Sequence, residues 1–327
     1  MPVLAVDVPT VTEHRGRVMG TDLHVVTVGT SDAGRGAVAR GLARIALLEA
    51  RWSRFRPTSE LSRAAAAVGT WVDVSADTLR LVAAGQEAWE RTGGRCDLTG
   101  GAAIAATGYD RDLAERRARG PAKRMPDLPF PGPDAIEVDP VGHRLRLAPG
   151  TVLDAGAIGK GLAADLVVEE LMDPTRGVAG LEGLLVNIGG DLRAAGRAPS
   201  PHGTLDAPWD GPWGIDVALL PTDRTVRWSL REGAVATSSS RRRVWETTSG
   251  PAHHVLDPRT GAPAVAPPAL VSVHAGAAWW AEAAATALML LDASERPGWA
   301  RSAGVAAVVV EDDGAITELG DVAGRLA

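Results

Sequence analysis

The sequence predicts an α+β fold. Strand-like and helix-like runs are interspersed along its 327 residues without strict strand–helix alternation, which argues against a doubly wound parallel sheet. Glycine-bearing turns separate many of the runs. No internal repeat breaks the pattern, and the nearest thing to low complexity is an Ala/Gly-rich background. The length allows one large domain or two closely associated ones. Residues 1–327 are read as a single domain of two packed lobes with no independent linker.

The elements follow in order. Residues 18–29 (VMGTDLHVVTVG) alternate like a strand. Residues 35–52 carry Ala, Leu, Ile and Val at helical spacing and run into RWSRFRPTSELSRA. Residues 76–92 read as a second helix. GGRCDLTGG at 93–101 is a glycine-rich break, followed by a small-residue helix to about residue 107. Residues 109–133 are charged, with prolines toward the end, and read as a surface excursion. The stretches 135–139 and 143–147 suit a short hairpin, and 152–172 a strand, a turn and a helix. GLLVNIGGDLRAAG, 183–196, is an apolar strand ending at Gly189–Gly190, where glycine permits a positive φ or close approach of a ligand. Residues 198–212, rich in proline, glycine and aspartate, read as a loop. Strands are expected near 213–219, 224–229 and 233–238. A strand at 269–275 leads to a helix at 279–292. A short helix near 297–303 and strands at 305–311 and 315–318 close the chain.

Composition narrows the function classes. A net charge of −6 and a pI near 5.7 give no sign of a nucleic-acid binder. A single cysteine, Cys96, precludes an intrachain disulfide and fits a reducing compartment. The N-terminus has neither a basic n-region nor a long apolar h-region, so no secretory signal is read there. Charge interrupts the apolar stretches before 18 residues, so no membrane span is expected and the cytoplasm is the default location. The chain has ten Trp but one Tyr and two Phe. Trp279–Trp280 and Trp209/Trp213 suit core or rim packing better than stacking on a planar ligand.

Chemistry concentrates in a few turns. Lys160, one of only two lysines with Lys123, sits in the run LDAGAIGKGLAAD at 153–165. A compact ammonium at a tight glycine turn suits a phosphate or a ring edge, where a guanidinium would crowd. The plainer alternative is a helix start that tolerates any long polar side chain. Asp97, Asp154 and Asp191 also sit in glycine-bearing turns, where Asp is common as a cap. His254 and Asp257 lie three apart in HHVLDPRTG, 253–261. A zinc site at His253–His254 lacks a partner pattern such as HExxH or CxxC. Glu282 and Thr286 share a helix face at i,i+4. Their oxygens suit a hard cation such as Mg²⁺, and the alternative is an exposed Glu with a Thr bonded back to its own helix. No GxSxG elbow is present, which sets a serine hydrolase aside.

Together these motifs resemble the ApbE family of flavin transferases. SRFRPTSELSR (53–63) matches the family's SxYxxxSELSR, with Phe55 at the aromatic position. GRCDLT (94–99) stands for GxFDxT, DAGAIGKGLAAD (154–165) for DLGGIAKGYAVD, and NIGGDLRAAG (187–196) for NxGGDxxxxG. AVATS (234–238) and HxxDPRTG (254–261) are intact, and AEAAATAL (281–288) stands for ADALATAL. Seven motifs in register, with MGT at 19–21 ahead of them, make the resemblance specific. Four positions depart from the pattern. Glu282 replaces the usual metal Asp, Cys96 an aromatic and Ala65 an Asn, and TSSSRRR stands for TSGxYxR.

The resemblance implies an ApbE-like, T-fold-like mixed sheet with flanking helices and an FAD site between two lobes. It implies Mg²⁺-dependent transfer of FMN from FAD to a Thr or Ser hydroxyl of a target protein through a phosphoester, with release of AMP. Metal ligands carried over by motif position are the Ala157 carbonyl, Glu282 and Thr286. Implied FAD contacts are Met19, Phe55, Cys96, Asp97, Asp154, Lys160 and Leu256. Implied targets carry a DGxSGAT-type segment. His254 is the candidate proton acceptor, because histidine titrates near neutrality. Asp257 would orient it or cap the DPRTG turn, and Lys160 would supply charge or bind flavin or ribose. Two other readings of the same residues are an FAD pyrophosphatase and a non-catalytic FAD-binding protein.

Overall fold

The structure, a computed structural model, describes residues 9–111, 113–123, 125–199, 211–248, 250–323 and 326. The loop expected at 198–212 lies largely outside the described residues, as does Trp209.

The chain opens with β1 (Thr10–Val18) and β2 (Thr21–Gly29), then α1 (Ser31–Trp52) and α2 (Glu60–Ala66). β3 (Val72–Asp73), α3 (Ala76–Thr92), α4 (Gly101–Ala106) and α5 (Leu113–Ala118) follow. β4 (Ile136–Asp139) and β5 (Arg144–Leu147) form the expected hairpin and join β3 in a small sheet. α6 (Gly159–Leu171) precedes β6 (Leu181–Ile188) and β7 (Asp191–Gly196). β8 (Trp213–Ala218) pairs with β9 (Thr225–Leu230). After β10 (Gly233–Ser238), β11 (Val244–Thr247) pairs with β12 (Gly250–His253). β13 (Leu270–Ala275), α7 (Ala278–Leu290), α8 (Arg296–Ala303), β14 (Ala306–Val310) and β15 (Ile316–Leu319) complete the chain.

Among the described residues, eight strands form the main sheet in the order β1-β2-β6-β7-β10-β13-β14-β15. The α+β class holds. Every neighbouring pair is antiparallel, so the sheet is more regular than the mixed arrangement expected. Successive residues of a strand point to opposite faces, and here both faces are apolar. Val25, Leu184, Val186, Ala236 and Val273 face the helices. Val26, Leu185, Val235, Val308 and Val310 face the other way, onto Trp213 and Trp228 of the β8–β9 hairpin. Each large side chain buried in this way contributes about 1.5–3 kcal/mol, which holds the strand ends firmly in register. No helix among the described residues is long and apolar enough to cross a membrane.

Two expected strands prove to be hairpins. Met19 (φ 48°) and Gly20 (φ 70°) make a two-residue turn between β1 and β2, so MGT is the tip of a hairpin. β1 escapes a periodicity reading because it is a partly exposed edge strand with a polar sequence, TVTEHRGRV. Gly189 (φ 67°) and Gly190 (φ 102°) make the equivalent turn between β6 and β7.

The helices are placed by small residues and a buried carboxylate. A Cβ on Gly161 would run into the Ala278 carbonyl, so α6 meets the start of α7 at backbone distance. Asp165 accepts from the Ala278 and Trp279 N–H groups, both at 2.9 Å, and so caps α7. Burial raises the Asp165 pKa to about 6 even so.

Candidate active site

The two hairpin tips lie side by side at one end of the sheet. The Gly189 N–H donates to the Asp22 carbonyl at 2.8 Å, and a Cβ on Gly189 would strike the Thr21 side chain. With the end of β10 and the start of α6, these tips border a cavity of 560 Å³, a volume suited to a small molecule. Met19, held at positive φ, lines it.

The floor is ionic. The Lys160 ammonium sits 2.6 Å from Asp191 Oδ2 and also contacts Glu282 Oε1. Glu282 Oε2 accepts from the Gly161 N–H at 2.8 Å, so the α6 backbone and the Lys160 side chain hold one carboxylate together. Asp191 and Glu282 are 3 % and 2 % exposed. Burial and then the neighbouring Asp191 push the Glu282 pKa well above the usual carboxylate range, against the pull of Lys160. Burial works against the charge on Lys160, but the two carboxylates prevail and raise its pKa.

The wall is aromatic and basic. Phe55, 40 % exposed, meets Tyr109 edge-on at 5.8 Å, and Tyr109 stacks on Trp245 at 5.1 Å. Arg54, Arg95, Arg242 and Arg243 also line the cavity. Asp154 accepts from the Gly156 N–H at 2.8 Å, shaping the turn at Ala155–Ala157. Asp97 accepts from the Thr99 N–H at 2.8 Å and from its hydroxyl at 2.7 Å. Burial raises the Asp97 pKa, and the Thr99 bonds oppose it.

The fold brings Met19, Phe55, Asp97, Asp154, Ala157, Lys160, His254, Leu256, Glu282 and Thr286 to one cavity. Two nominated residues stand apart from its lining. Cys96 is 2 % exposed within the apolar core, where burial pushes its thiol pKa up. Asp257 turns to its own loop: it accepts from the Arg259 N–H at 3.0 Å and pairs with the Arg259 guanidinium at 2.7 Å. Of the two expected roles for Asp257, it therefore takes the turn cap. His254 lines the cavity, and its Nδ1 is buried without a hydrogen-bond partner. Burial, then the charges of Arg243, His253 and Lys160, lower its pKa to about 3, so the imidazole is neutral.

Several lining residues were not nominated from the sequence. Asp191, whose turn the sequence groups with those of Asp97, Asp154 and Lys160 without a role of its own, lines the cavity with them. Tyr109 and Phe130 belong to the stretch read as a surface excursion; its described residues are largely exposed, and residues 128–130 run beside the DPRTG loop. The Phe130 N–H donates to the Pro258 carbonyl at 2.8 Å, and Gly261 leaves room for the Leu128 carbonyl. The signal available was the chain's only tyrosine beside a glycine in a charged segment. Trp280 and Trp213 pack inward at 5 % and 3 % exposure, and Trp280 lies beneath the Arg91 guanidinium at 3.5 Å.

The oxygen donors suit a divalent hard cation. Ala157, Glu282 and Thr286 border the same space, and Asp191 adds a second carboxylate. Both Glu282 oxygens are already engaged, one by the Lys160 ammonium and one by the Gly161 N–H, so a cation held there would take the place of Lys160 beside the carboxylates. The Thr286 hydroxyl also bonds back to the Glu282 carbonyl at 3.2 Å, as the plainer reading of that pair expected.

Comparison with known proteins identifies the family and the fold. The ApbE family model matches residues 19–309. An FAD:protein FMN transferase of Haemophilus influenzae is 25 % identical over 291 residues, covering 84 % of this chain and 79 % of that protein. An FAD:protein FMN transferase of Treponema pallidum is 32 % identical over 168 residues, a match covering 46 % of this chain and 41 % of that one. The apo form of Pseudomonas stutzeri flavinyl transferase ApbE superposes with a TM-score of 0.75 at 25 % identity, with both chains fully covered. An ApbE protein of Thermotoga maritima shares the fold, with a TM-score of 0.76 at 24 % identity over 95 % of this chain and 97 % of that one.

Proposed function

This chain belongs to the ApbE family, and from that premise we propose that it transfers FMN from FAD to a hydroxyl of a target protein. The observation that carries the reading is the single cavity in which Lys160, Asp191 and Glu282 form an ionic floor beneath an aromatic and arginine-rich wall. The aromatic side chains of the wall suit a planar ring, and its arginines suit a pyrophosphate.

In the proposed reaction, a Thr or Ser hydroxyl attacks the FMN-side phosphorus in line. The pyrophosphate P–O bond to AMP breaks, AMP leaves, and FMN remains on the target as a phosphoester. Such transfers depend mainly on positioning and on neutralising charge. Arg243 supplies fixed positive charge beside the phosphates, whereas the Lys160 charge is already matched by Asp191 and Glu282. His254 lines the cavity with Nδ1 unpartnered and is the proton acceptor in this reading. A pKa of about 3 makes it a weak base in the empty site, so the role requires the anionic pyrophosphate beside it to raise its basicity. Ala157, Glu282 and Thr286 would hold Mg²⁺, with Glu282 standing where relatives of this pattern have Asp. A cation held by these residues would supply charge neutralisation for phosphate oxygens. The acceptor is a protein with a DGxSGAT-type segment.

The test is incubation with FAD, Mg²⁺ and a tagged acceptor carrying that segment, read by mass spectrometry. An acceptor gain equal to FMN as a phosphoester, abolished by EDTA, supports the reading. AMP produced without an adduct supports a pyrophosphatase instead. FAD binding with neither product supports a binding protein.

A further inference from the structure

Arg54 lies where three separate segments meet. Its side chain is only 9 % exposed. Nε lies 2.9 Å from Asp154 Oδ2, and Nη2 donates to the Tyr109 carbonyl at 2.7 Å. The guanidinium carbon sits 4.3 Å from the centre of the Phe55 ring and 4.9 Å from that of Tyr109. Asp154 in turn holds the Gly156 N–H, and thereby the turn that presents Ala157 and leads to Lys160. Arg56, two residues on, has a half-exposed side chain and only a 3.8 Å pairing with Glu49. The two arginines of SRFR therefore have different standing: one is built into the wall and the other decorates its rim.

We infer that Arg54 is a positioning residue that fastens the ring-binding wall of the cavity to the turn that carries Ala157. The ligand it serves is a planar heteroaromatic ring of the dinucleotide, so the inference rests on the reading above. Its chemistry asks for arginine. The fork reaches a carboxylate and a carbonyl at once, and the flat face lies against two rings. A lysine at 54 would keep a charge for Asp154 but lose the plane and the second donor. The two duties of Arg54 therefore separate by substitution: ring binding depends on the plane, and alignment of the turn depends on the ion pair.

The test compares wild type, Arg54→Ala and Arg54→Lys in FAD titrations followed by flavin fluorescence, and in steady-state transfer to the tagged acceptor. Arg54→Ala is expected to weaken FAD binding about tenfold and to lower kcat about tenfold. Arg54→Lys is expected to recover most of kcat while KM for FAD stays raised. Competition by FMN and by ADP then shows which ring occupies the wall. Weaker FMN binding in Arg54→Ala assigns the flavin, weaker ADP binding assigns the adenine, and no change in either overturns the inference. Equal kcat losses in both variants, or wild-type constants in Arg54→Ala, also overturn it. Should Arg54→Ala fail to fold, as read by circular dichroism, Arg54→Lys alone carries the KM-against-kcat test. A wild-type protein that binds no FAD and modifies no acceptor defeats the proposed function itself, whereas an active wild type matched by Arg54→Ala defeats only the role of Arg54.

Discussion

The floor and the wall of the cavity are held in place in different ways. Lys160, Asp191 and Glu282 stand on α6, β7 and α7, with side-chain exposures of 13 %, 4 % and 3 %. Their backbones are fixed by sheet pairing, by the glycine contact between helices and by the Asp165 cap. Phe55, Tyr109 and Phe130 stand on loops; Phe55 and Tyr109 meet through their rings, Phe130 is tied to Pro258 by one backbone bond, and Phe55 is 40 % exposed. The proposed phosphoryl transfer needs charges held within fractions of an ångström, which regular packed elements provide. Recognition of a flat ring tolerates more play, and loops suffice for it. The difference predicts that substitutions in the floor act on stability and kcat together, while those in the wall act mainly on KM.

The strongest test of that division is Lys160→Ala. It leaves two buried carboxylates without their counter-ion, and breaking a buried pair in this way costs about 3–5 kcal/mol. Denaturant unfolding should show that loss. It should grow as pH rises, because the orphaned carboxylates are easier to bury protonated than ionised. A Lys160→Ala protein as stable as wild type at pH 8 would mean that the floor is not held by its charges.

His254 joins the two regions, since it lines the cavity from the loop after β12. His254→Ala should slow transfer about 100-fold or more if the residue removes the attacking proton. Its pKa, lowered to about 3, keeps the imidazole in its basic form at any working pH. The profile of kcat/KM, which reports the free enzyme, should then show no histidine limb between pH 6 and 7. A limb there that disappears in His254→Ala would place the free-enzyme pKa near its ordinary value and contradict the buried, cation-facing environment.

The same division explains what the sequence disclosed. The floor was legible because its residues sit in motifs whose spacing is set by a turn and a helix: GKG at 159–161, GGD at 189–191 and the i,i+4 pair Glu282/Thr286. Helices and interior strands were legible because their apolar residues repeat with a fixed period. β1 was not, since an edge strand facing water has no such period. Tyr109 and Phe130 were not, since loop residues reach a site by long-range folding that local pattern does not encode. Cys96 was placed beside the flavin by motif position, yet its thiol points into the core. A turn's sequence position does not say which way each side chain faces.

Asp165 tests whether the floor depends on the α7 cap. Asp165→Asn keeps the shape of the cap but loses one of its two bonds, because the amide NH2 cannot accept, and should lower stability at neutral pH by about 1 kcal/mol or more. Folded Asp165 has a pKa raised to about 6, above its ordinary 3.8, so the fold favours its protonated form. Its contribution is therefore greatest below pH 4 and declines as pH rises through 6. The stability difference between wild type and Asp165→Asn should shrink over that window and stay level above it. A difference that grows from pH 4 to pH 6 would show that the cap favours the charged carboxylate after all.

Tyr109 gives the smallest expected effect, and it bears most directly on the wall. Its ring lies between Phe55 and Trp245, and the Arg54 guanidinium is 4.9 Å from its centre. Tyr109→Leu keeps apolar bulk but removes the aromatic face. An aromatic pair is worth about 0.5–1.5 kcal/mol beyond its area, so KM for FAD should rise roughly two- to tenfold. Among the described residues no hydrogen bond or ion pair joins the ionic floor to this ring, so kcat and the thermal midpoint should change little. Steady-state kinetics with varied FAD separates the cases. A raised KM alone would confirm that wall and floor act independently. A matching fall in kcat would show that motion in the aromatic column reaches the phosphorus, which the contacts predict only through Arg54 and Asp154.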